Sequence, residues 1–120
     1  MPGKVLIIDD EAETCRMITL GLKLFGYQTD FALSAEKGIG KIQADPPNVL
    51  VLDLMLPDMD GFDVMRQLKA DPATTGLPII ILSATAKPGV AEESLQLGAS
   101  AFMSKPVSIR ELSDEIKKYI

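Results

Sequence analysis

Three acidic residues, one serine and one lysine fall where they could share one chemical site. Asp9 and Asp10 follow an apolar stretch, and Asp53 sits between apolar residues on both sides. A carboxylate in an apolar run is costly unless a partner pairs with it. Ser83 and Lys105 close or follow two further apolar segments. Crowded carboxylates favour a hard cation such as Mg²⁺ or Mn²⁺. This cation and Lys105 together could neutralise a phosphoryl group while a carboxylate attacks it, which would give an aspartyl phosphate.

Short aliphatic segments that predict strands alternate with segments of helical period. The predicted strands are Lys4–Asp9, Tyr27–Ala32, Asn48–Asp53, Leu77–Ser83 and Ser100–Ser104. The predicted helices are Glu11–Phe25, Ser34–Asp45, a third from Asp60, Pro88–Gly98 and a fifth from Ser108. Continuous aliphatic strands are typical of a parallel sheet covered on both faces. The order predicts a doubly wound α/β fold with helices on two faces, in one domain over residues 1–120.

Capping residues support the helix boundaries. Ser34, Asp60 and Ser108 are of the types that cap helix N-termini, and Glu111 stands in capping-box spacing after Ser108. Gly26 stands where a left-handed residue would end the first helix.

Three further glycines and one aspartate carry local predictions. Gly61 is interpreted as a turn residue that needs positive φ. Asp58 is assigned to the turn around Gly61 rather than to the metal. Gly38 and Gly40 lie inside the second helix, where two glycines could cost about 2 kcal/mol relative to alanine, so a loose second helix is expected.

The ends of the strands predict where the site lies. In open α/β sheets, ligands bind beyond the carboxyl ends of the strands. The three carboxylates, the hydroxyl and the ammonium would therefore gather at one edge of the sheet.

Composition excludes several classes of function. The 120 residues carry a net charge of −5, which disfavours nucleic acid and anionic membranes as direct partners. No apolar run approaches the length of a membrane span, and no signal peptide is evident. The absence of histidine excludes His-ligated metals and His-based triads. A single cysteine, Cys15, fits a reducing cytoplasm and indicates no redox role.

Four motifs resemble those of the receiver domains of two-component response regulators. They appear in that family's order and spacing across essentially the whole chain. The motifs are IIDDE at Ile7–Glu11, VLDLMLPDMDG at Val51–Gly61, IILSA at Ile80–Ala84 and FMSKP at Phe102–Pro106. The resemblance implies a flavodoxin-like fold with strand order 2-1-3-4-5.

The resemblance also implies a role for each site residue. Asp53 would be the phosphoacceptor. Mg²⁺, with Mn²⁺ as the alternative ion, would be held by Asp10, Asp53 and the backbone carbonyl of Met55, while Asp9 would act largely through water. Lys105 would pair with a phosphoryl oxygen.

Two further residues and one peptide bond complete the implied site. Ser83 would donate its hydroxyl to the phosphoryl group, and Phe102 would be an aromatic switch that turns inward when Ser83 moves. The Lys105–Pro106 bond would be cis, which fixes the direction of the lysine side chain.

The implied function is a phosphorylation-driven signalling switch. The donor would be a phosphohistidine on a sensor histidine kinase or a histidine phosphotransfer protein. The output partner would bind the fourth helix, fifth strand and fifth helix, on the surface containing Lys87–Leu97 and Phe102–Ile120. Such a protein is not a conventional enzyme, although it takes part in its own phosphorylation and slow autodephosphorylation.

Three alternatives remain from the residues themselves. One is a receiver-like docking module that works without phosphate, which the intact polar residues disfavour. Another is an aspartyl-phosphate phosphatase of the haloacid dehalogenase type, but the D-x-D spacing and a cap domain are missing. The third is a flavodoxin-like redox protein, but the acidic residues that follow the first strand would repel a phosphate.

Overall fold

Five strands and five helices alternate along the chain in the computed structural model, which describes residues 3–85 and 87–120. The strands are β1 (Lys4–Ile8), β2 (Gln28–Ala32), β3 (Val49–Leu52), β4 (Ile79–Ser83) and β5 (Ala101–Ser104). The helices are α1 (Ala12–Leu24), α2 (Ala35–Ala44), α3 (Gly61–Ala70), α4 (Val90–Gln96) and α5 (Ile109–Lys117). The predicted alternation of strands and helices is confirmed.

All the strands pair in parallel in the order β2-β1-β3-β4-β5. The central register places Val51 beside Ile7 on one side and beside Ile80 on the other. The predicted doubly wound sheet and its strand order are therefore confirmed. Because the strands are parallel, their carboxyl ends all meet at one edge.

The three central strands bury side chains on both faces of the sheet. Alternate residues of β1, β3 and β4 enter two separate apolar clusters. One cluster lies under α2 and α3 and receives Leu6, Ile8, Leu50, Leu52, Ile79 and Ile81. The other lies under α1 and α5 and receives Val5, Ile7, Val49, Val51, Ile80 and Leu82. This two-sided burial explains why these strands are continuously aliphatic.

Side-chain caps begin three of the helices as predicted. The Ser34 hydroxyl accepts a hydrogen bond from the Lys37 N–H, and the Asp60 carboxylate accepts one from the Phe62 N–H. Ser108 begins α5 with a complete capping box. Gly26, with φ of 97°, follows α1 in the left-handed region.

Two local predictions are wrong. Gly61 has no positive φ; it is the first residue of α3 and lies against the preceding loop. A Cβ on Gly61 would come within 2.5 Å of the Leu54 Cα, so close packing requires the glycine. Helix α4 begins at Val90, after Gly89 in the left-handed region at φ 85°, so Pro88 precedes the helix instead of occupying its first turn.

No helix among residues 3–85 and 87–120 has the length and apolar character needed to cross a membrane.

Candidate functional site

Asp53 directly follows β3 at the carboxyl edge of the sheet, and it is only 7% exposed. Its backbone N–H donates to the Ile8 carbonyl at 2.9 Å, which fixes it beside the end of β1. One carboxylate oxygen, Oδ1, accepts a hydrogen bond from the Met55 N–H at 3.1 Å. The other, Oδ2, lies 3.0 Å from the Lys105 Nζ. The carboxylate is therefore held from both sides.

Asp9 and Asp10 follow the neighbouring strand β1 but differ in their exposure. Asp9 is 2% exposed, and its carboxylate accepts hydrogen bonds from the Glu11 N–H at 2.9 Å and from the Lys105 Nζ at 2.6 Å. Asp10 is exposed. Carboxylate oxygens of Asp9, Asp10 and Asp53 all lie within 4.8 Å of one another. The predicted cluster of three carboxylates is thus present.

Lys105 lies just past β5 and provides the positive charge that faces these carboxylates. Its backbone N–H donates to the Ser83 carbonyl at 2.9 Å, and the Lys105–Pro106 bond is cis. Burial acts to lower the pKa of the Lys105 ammonium, but hydrogen bonds to Asp9 and Asp53 and their negative charges outweigh burial and raise this pKa. Lys105 is therefore a cation at neutral pH.

The charge balance of the cluster leaves room for a further cation. One ammonium faces three carboxylates, and the Glu11 carboxylate adds a fourth acidic group 3.8 Å from the Lys105 Nζ. All the donors are oxygens, which is the ligand set of Mg²⁺ and other hard ions. The residues present therefore fit a divalent cation, with Asp10 and Asp53 as the carboxylates that also line the open cavity.

This cavity has a volume of about 410 Å³ and opens at the carboxyl edge of the sheet. Its lining residues are Asp10, Glu11, Asp53, Met55, Leu56, Pro57, Ala84 and Lys105. Asp9, whose carboxylate accepts a hydrogen bond from the Lys105 Nζ, does not line the cavity.

Ser83 and Phe102 are near the site but do not line this cavity. Ser83 is fully buried at the end of β4, and its Oγ accepts a hydrogen bond from the Thr85 N–H at 3.3 Å. Phe102 lies on β5, half-buried against the apolar cluster under α2 and α3. The structure therefore brings Asp9, Asp10, Asp53 and Lys105 together, whereas the side chains of Ser83 and Phe102 lie in their own contacts outside the cavity lining.

The loop between β3 and α3 (Leu54–Asp60, the acceptor loop) is closed at its base. The Gly61 N–H donates to the Leu54 carbonyl at 2.9 Å, and Met55 pairs with Asp60 in an isolated antiparallel bridge. These contacts fix Met55, whose backbone carbonyl is the predicted third metal ligand.

Two acidic residues have positions that the sequence did not reveal. Glu11 lines the cavity, although only its place in the IIDDE motif marked it. Asp58 does not serve the turn around Gly61; its carboxylate accepts hydrogen bonds from the Ala35 N–H at 2.9 Å and the Glu36 N–H at 3.0 Å. These backbone hydrogen bonds, from Glu36 and Ala35, lower the pKa of Asp58. No local spacing could have indicated partners 22 and 23 positions away.

Cys15 lies beside the site as an inert thiol. Its Sγ–H donates to the Asp9 carbonyl at 3.3 Å, and the residue is fully buried. Burial, with the negative charge of Asp9 adding to it, raises the pKa of the Cys15 thiol to about 12. The thiolate needed for redox chemistry is therefore not available at neutral pH.

Comparison with known proteins places this geometry in a family. The family model described as "Response regulator receiver domain" matches residues 5–117. The phosphate regulon regulatory protein PhoB of Pseudomonas aeruginosa is 36% identical over 118 residues, which cover 98% of this chain and 52% of that protein. The response regulator PleD of Caulobacter vibrioides is 33% identical over 107 residues, 89% of this chain and 24% of that protein. The chain thus spans between a quarter and a half of the length of these curated relatives.

Solved structures agree in fold along their whole length. A CheY-like response regulator receiver domain protein from Methanospirillum hungatei superposes with a TM-score of 0.90 at 29% identity, covering 98% of this chain and 93% of that one. A response regulator from Chloroflexus aurantiacus gives a TM-score of 0.92 at 29% identity, covering 99% and 98%.

Proposed function

Because the chain belongs to the response regulator receiver domain family, we propose that it is a phosphoryl-accepting signalling switch in which Asp53 is the acceptor. The observation that carries this proposal is the placement of the Asp53 carboxylate. It lines an open cavity, faces the Lys105 ammonium at 3.0 Å, and lies within a cluster of three carboxylates suited to a divalent cation. No other described carboxylate combines these three properties.

In the proposed reaction, an oxygen of the Asp53 carboxylate attacks the phosphorus of a phosphohistidine. A new P–O bond forms as the P–N bond breaks, and the electron pair of the P–N bond leaves with the imidazole nitrogen. A Mg²⁺ ion held by Asp10 and Asp53 would supply positive charge to the phosphoryl oxygens and would partly neutralise the acidic cluster. With no histidine in these 120 residues, the donor nitrogen comes from outside this sequence, and a sensor histidine kinase or a histidine phosphotransfer protein is the proposed donor.

During transfer, the Lys105 ammonium is proposed to move from the Asp53 carboxylate to an oxygen of the incoming phosphoryl group. This ammonium already contacts the Asp53 Oδ2, so a short movement of a flexible side chain would carry it to a phosphoryl oxygen. The Met55 N–H, which contacts the Asp53 Oδ1, keeps the acceptor carboxylate oriented. The protein is proposed to act as a switch and not as a turnover enzyme, with the aspartyl phosphate as the signalling state and its slow hydrolysis as the step that ends the signal.

Phosphorylation is proposed to produce a conformational change that extends from Ser83 to the surface formed by α4, β5 and α5. The Ser83 hydroxyl is buried and does not line the cavity, so its contact with a phosphoryl group is proposed to accompany a local rearrangement at the end of β4. Phe102 packs half-buried on β5 against the same apolar cluster as Val90 and Leu97. Helix α4 contains one buried residue, Ser94, among Val90–Gln96, which suits an element of low local stability. An output partner, either a separate protein or another domain, would bind this surface.

The test is modification of the protein by a small phosphodonor. With Mg²⁺ and acetyl phosphate, intact mass should show one added phosphoryl group, which Asp53→Asn abolishes. The matched control is Asp63→Asn, an exposed carboxylate of α3 paired with Arg66, which should be modified like the wild type. An unmodified wild-type protein would contradict the proposal and favour a phosphate-independent docking module. An adduct that persists in Asp53→Asn would contradict the assignment of Asp53 as the acceptor. Sustained turnover of phosphomonoesters would favour a phosphatase.

A second measurement tests the switch itself. Beryllofluoride with Mg²⁺ should shift amide resonances of α4, β5 and α5 in the wild type. In Phe102→Ala the adduct should still form, while the shifts on α4 and α5 become smaller. Shifts confined to the cavity residues in the wild type would contradict the proposed output surface.

A further inference from the structure

Asp58 makes a long-range contact that the proposed chemistry does not by itself explain. Its side chain is exposed, yet its two carboxylate oxygens accept hydrogen bonds from the first two N–H groups of α2, Ala35 at 2.9 Å and Glu36 at 3.0 Å. Helix α2 already has a local cap, because the Ser34 hydroxyl accepts from the Lys37 N–H at 3.2 Å. The Asp58 contact therefore does more than begin a helix: it joins the acceptor loop to a different element.

The acceptor loop is the segment that carries Met55. At its base the loop is closed by the Gly61–Leu54 hydrogen bond and by the Met55–Asp60 bridge. At its tip, Leu56 and Met59 pack half-buried against the apolar cluster under α2 and α3, and Asp58 makes the only side-chain hydrogen bonds there among the described residues. Removing this contact would leave the tip held by this apolar packing alone, without a hydrogen bond to α2.

We propose that Asp58 is a positioning residue for the divalent-cation site: by holding the acceptor loop on α2, it places the Met55 backbone groups beside the Asp53 carboxylate. The inference rests on the proposed function, because it concerns how the same site takes its metal ion. Asp58 itself touches neither the metal-binding carboxylates nor the acceptor oxygen.

The physical reason is the strict geometry of the ion. Mg²⁺ demands a near-ideal octahedral arrangement and tolerates little displacement of a ligand. A loop that samples several positions must be ordered when the ion binds, and the ordering cost lowers affinity. A carboxylate that pairs with two N–H groups at a helix N-terminus is a charge-assisted contact, favoured further by the helix dipole. It can therefore keep the loop in place before the ion arrives.

The test compares two losses of the α2 cap. Asp58→Ala removes the hydrogen bonds between the acceptor loop and α2. The matched control Ser34→Ala removes the local cap of α2 and leaves those hydrogen bonds intact. In both variants we measure the Mg²⁺ dissociation constant by calorimetry. In the metal-free chain we also measure hydrogen exchange of the Met55 N–H, which is bonded to the Asp53 Oδ1. Asp58→Asn, which keeps one oxygen acceptor, serves as a milder variant if Asp58→Ala folds poorly.

We expect Asp58→Ala to weaken Mg²⁺ binding at least fivefold and to speed exchange of the Met55 N–H, with Asp58→Asn between it and the wild type. Ser34→Ala should leave both quantities within twofold of the wild type. Equal effects of Asp58→Ala and Ser34→Ala would show that only helix stability matters, and an unchanged Mg²⁺ affinity in Asp58→Ala would also overturn the inference. In either case a wild type that is still phosphorylated on Asp53 leaves the proposed function standing. A wild type that binds no Mg²⁺ and accepts no phosphoryl group overturns both.

Discussion

Lys105 should contribute to stability, and in the proposed function also to chemistry, because it is the positive partner of two buried carboxylates. Its Nζ lies 2.6 Å from Asp9 and 3.0 Å from Asp53, and these side chains are only 3% and 9% exposed. A buried carboxylate that loses its partner carries an uncompensated charge, which costs more than the original pair contributed. At the proposed metal site, the same ammonium would compete with a divalent cation for these carboxylates.

Lys105→Met should therefore have two opposite effects. Without Mg²⁺ the free energy of unfolding should fall by about 3 kcal/mol, because Asp9 and Asp53 lose their counter-charge. The Mg²⁺ affinity should rise by about tenfold, equivalent to about 1.4 kcal/mol, because a competing positive charge is gone. Urea titrations with and without Mg²⁺ measure the first effect, and calorimetry measures the second.

The control for this variant is Lys118→Met. Lys118 pairs with Glu115 at 3.2 Å, but its side chain is 65% exposed, so its removal should change stability by about 0.5 kcal/mol or less. Weaker Mg²⁺ binding in Lys105→Met would contradict the view that the lysine and the metal compete.

The residues at the strand ends could be predicted from the sequence, whereas those held by long-range contacts could not. Asp9, Asp53 and Lys105 interrupt or follow aliphatic runs, and in a parallel sheet such positions meet at one edge. Asp58 carries no such signal, because its partners lie at the start of α2. The burial of Ser83 outside the cavity lining also depends on side-chain orientation, which no pattern of residue types specifies.

At the level of elements, the two glycines of α2 have different surroundings although both weaken a helix in principle. A Cβ on Gly38 would meet the side chain of buried Ile8, including its Cγ1 at 2.6 Å. A Cβ on Gly40 would meet nothing within 4 Å. The sequence predicted that both glycines weaken α2 equally. The structure shows that Gly38 is needed for α2 to pack closely against β1, whereas Gly40 is not.

Substituting the two glycines separately should give opposite results. Gly40→Ala should raise the free energy of unfolding by about 1 kcal/mol, because alanine favours the helix and the site is open. Gly38→Ala should lower it by about 1–2 kcal/mol, since overpacking against Ile8 outweighs the gain in propensity. Chemical denaturation of both variants measures this. The Gly38→Ala loss should shrink in an Ile8→Val background, and equal stabilisation by both alanines would contradict the packing argument.

Helix α5 contains a serine that should be replaceable with a gain in stability. Ser113 is fully buried, and its Oγ has no hydrogen-bond partner among the described residues. Ser113→Ala should stabilise the protein by about 1 kcal/mol, because an unsatisfied hydroxyl is removed and alanine is the better helix former. The matched control is Ser94→Ala on α4, where the buried hydroxyl donates to the Val90 carbonyl at 2.8 Å. A thermal melt should show a gain for Ser113→Ala that Ser94→Ala does not share.

Across the whole molecule, the site connects segments that are far apart in the chain. Lys105 reaches Asp9 and Asp53 across 96 and 52 positions of sequence. These residues lie at the ends of β1, β3 and β5, so the site exists only when the parallel sheet is assembled. The alternation of strand and helix predicted this sheet, and its strand order followed from the family resemblance rather than from the physics of the residues.

Because the unfolded chain cannot assemble the carboxylate cluster, a divalent cation that binds it must stabilise the entire fold. Mg²⁺ at ten times its dissociation constant should raise the free energy of unfolding by about 1.4 kcal/mol, and at one hundred times by about 2.7 kcal/mol. The unfolding midpoint in urea, measured against Mg²⁺ concentration, checks this dependence. NaCl at equal ionic strength corrects for screening of the net charge of −5.

Asp10→Asn distinguishes stabilisation by Mg²⁺ bound at the carboxylate cluster from stabilisation by general screening of the surface charge. Asp10 is exposed, unlike Asp9 and Asp53, so its neutralisation should change the stability of the metal-free protein little while removing a proposed metal ligand. The stabilisation by Mg²⁺ should then largely disappear, although the net charge has become less negative. If Asp10→Asn instead kept the full Mg²⁺ response, or if NaCl reproduced it, the ion would be acting through the general surface charge and not through the carboxylate cluster.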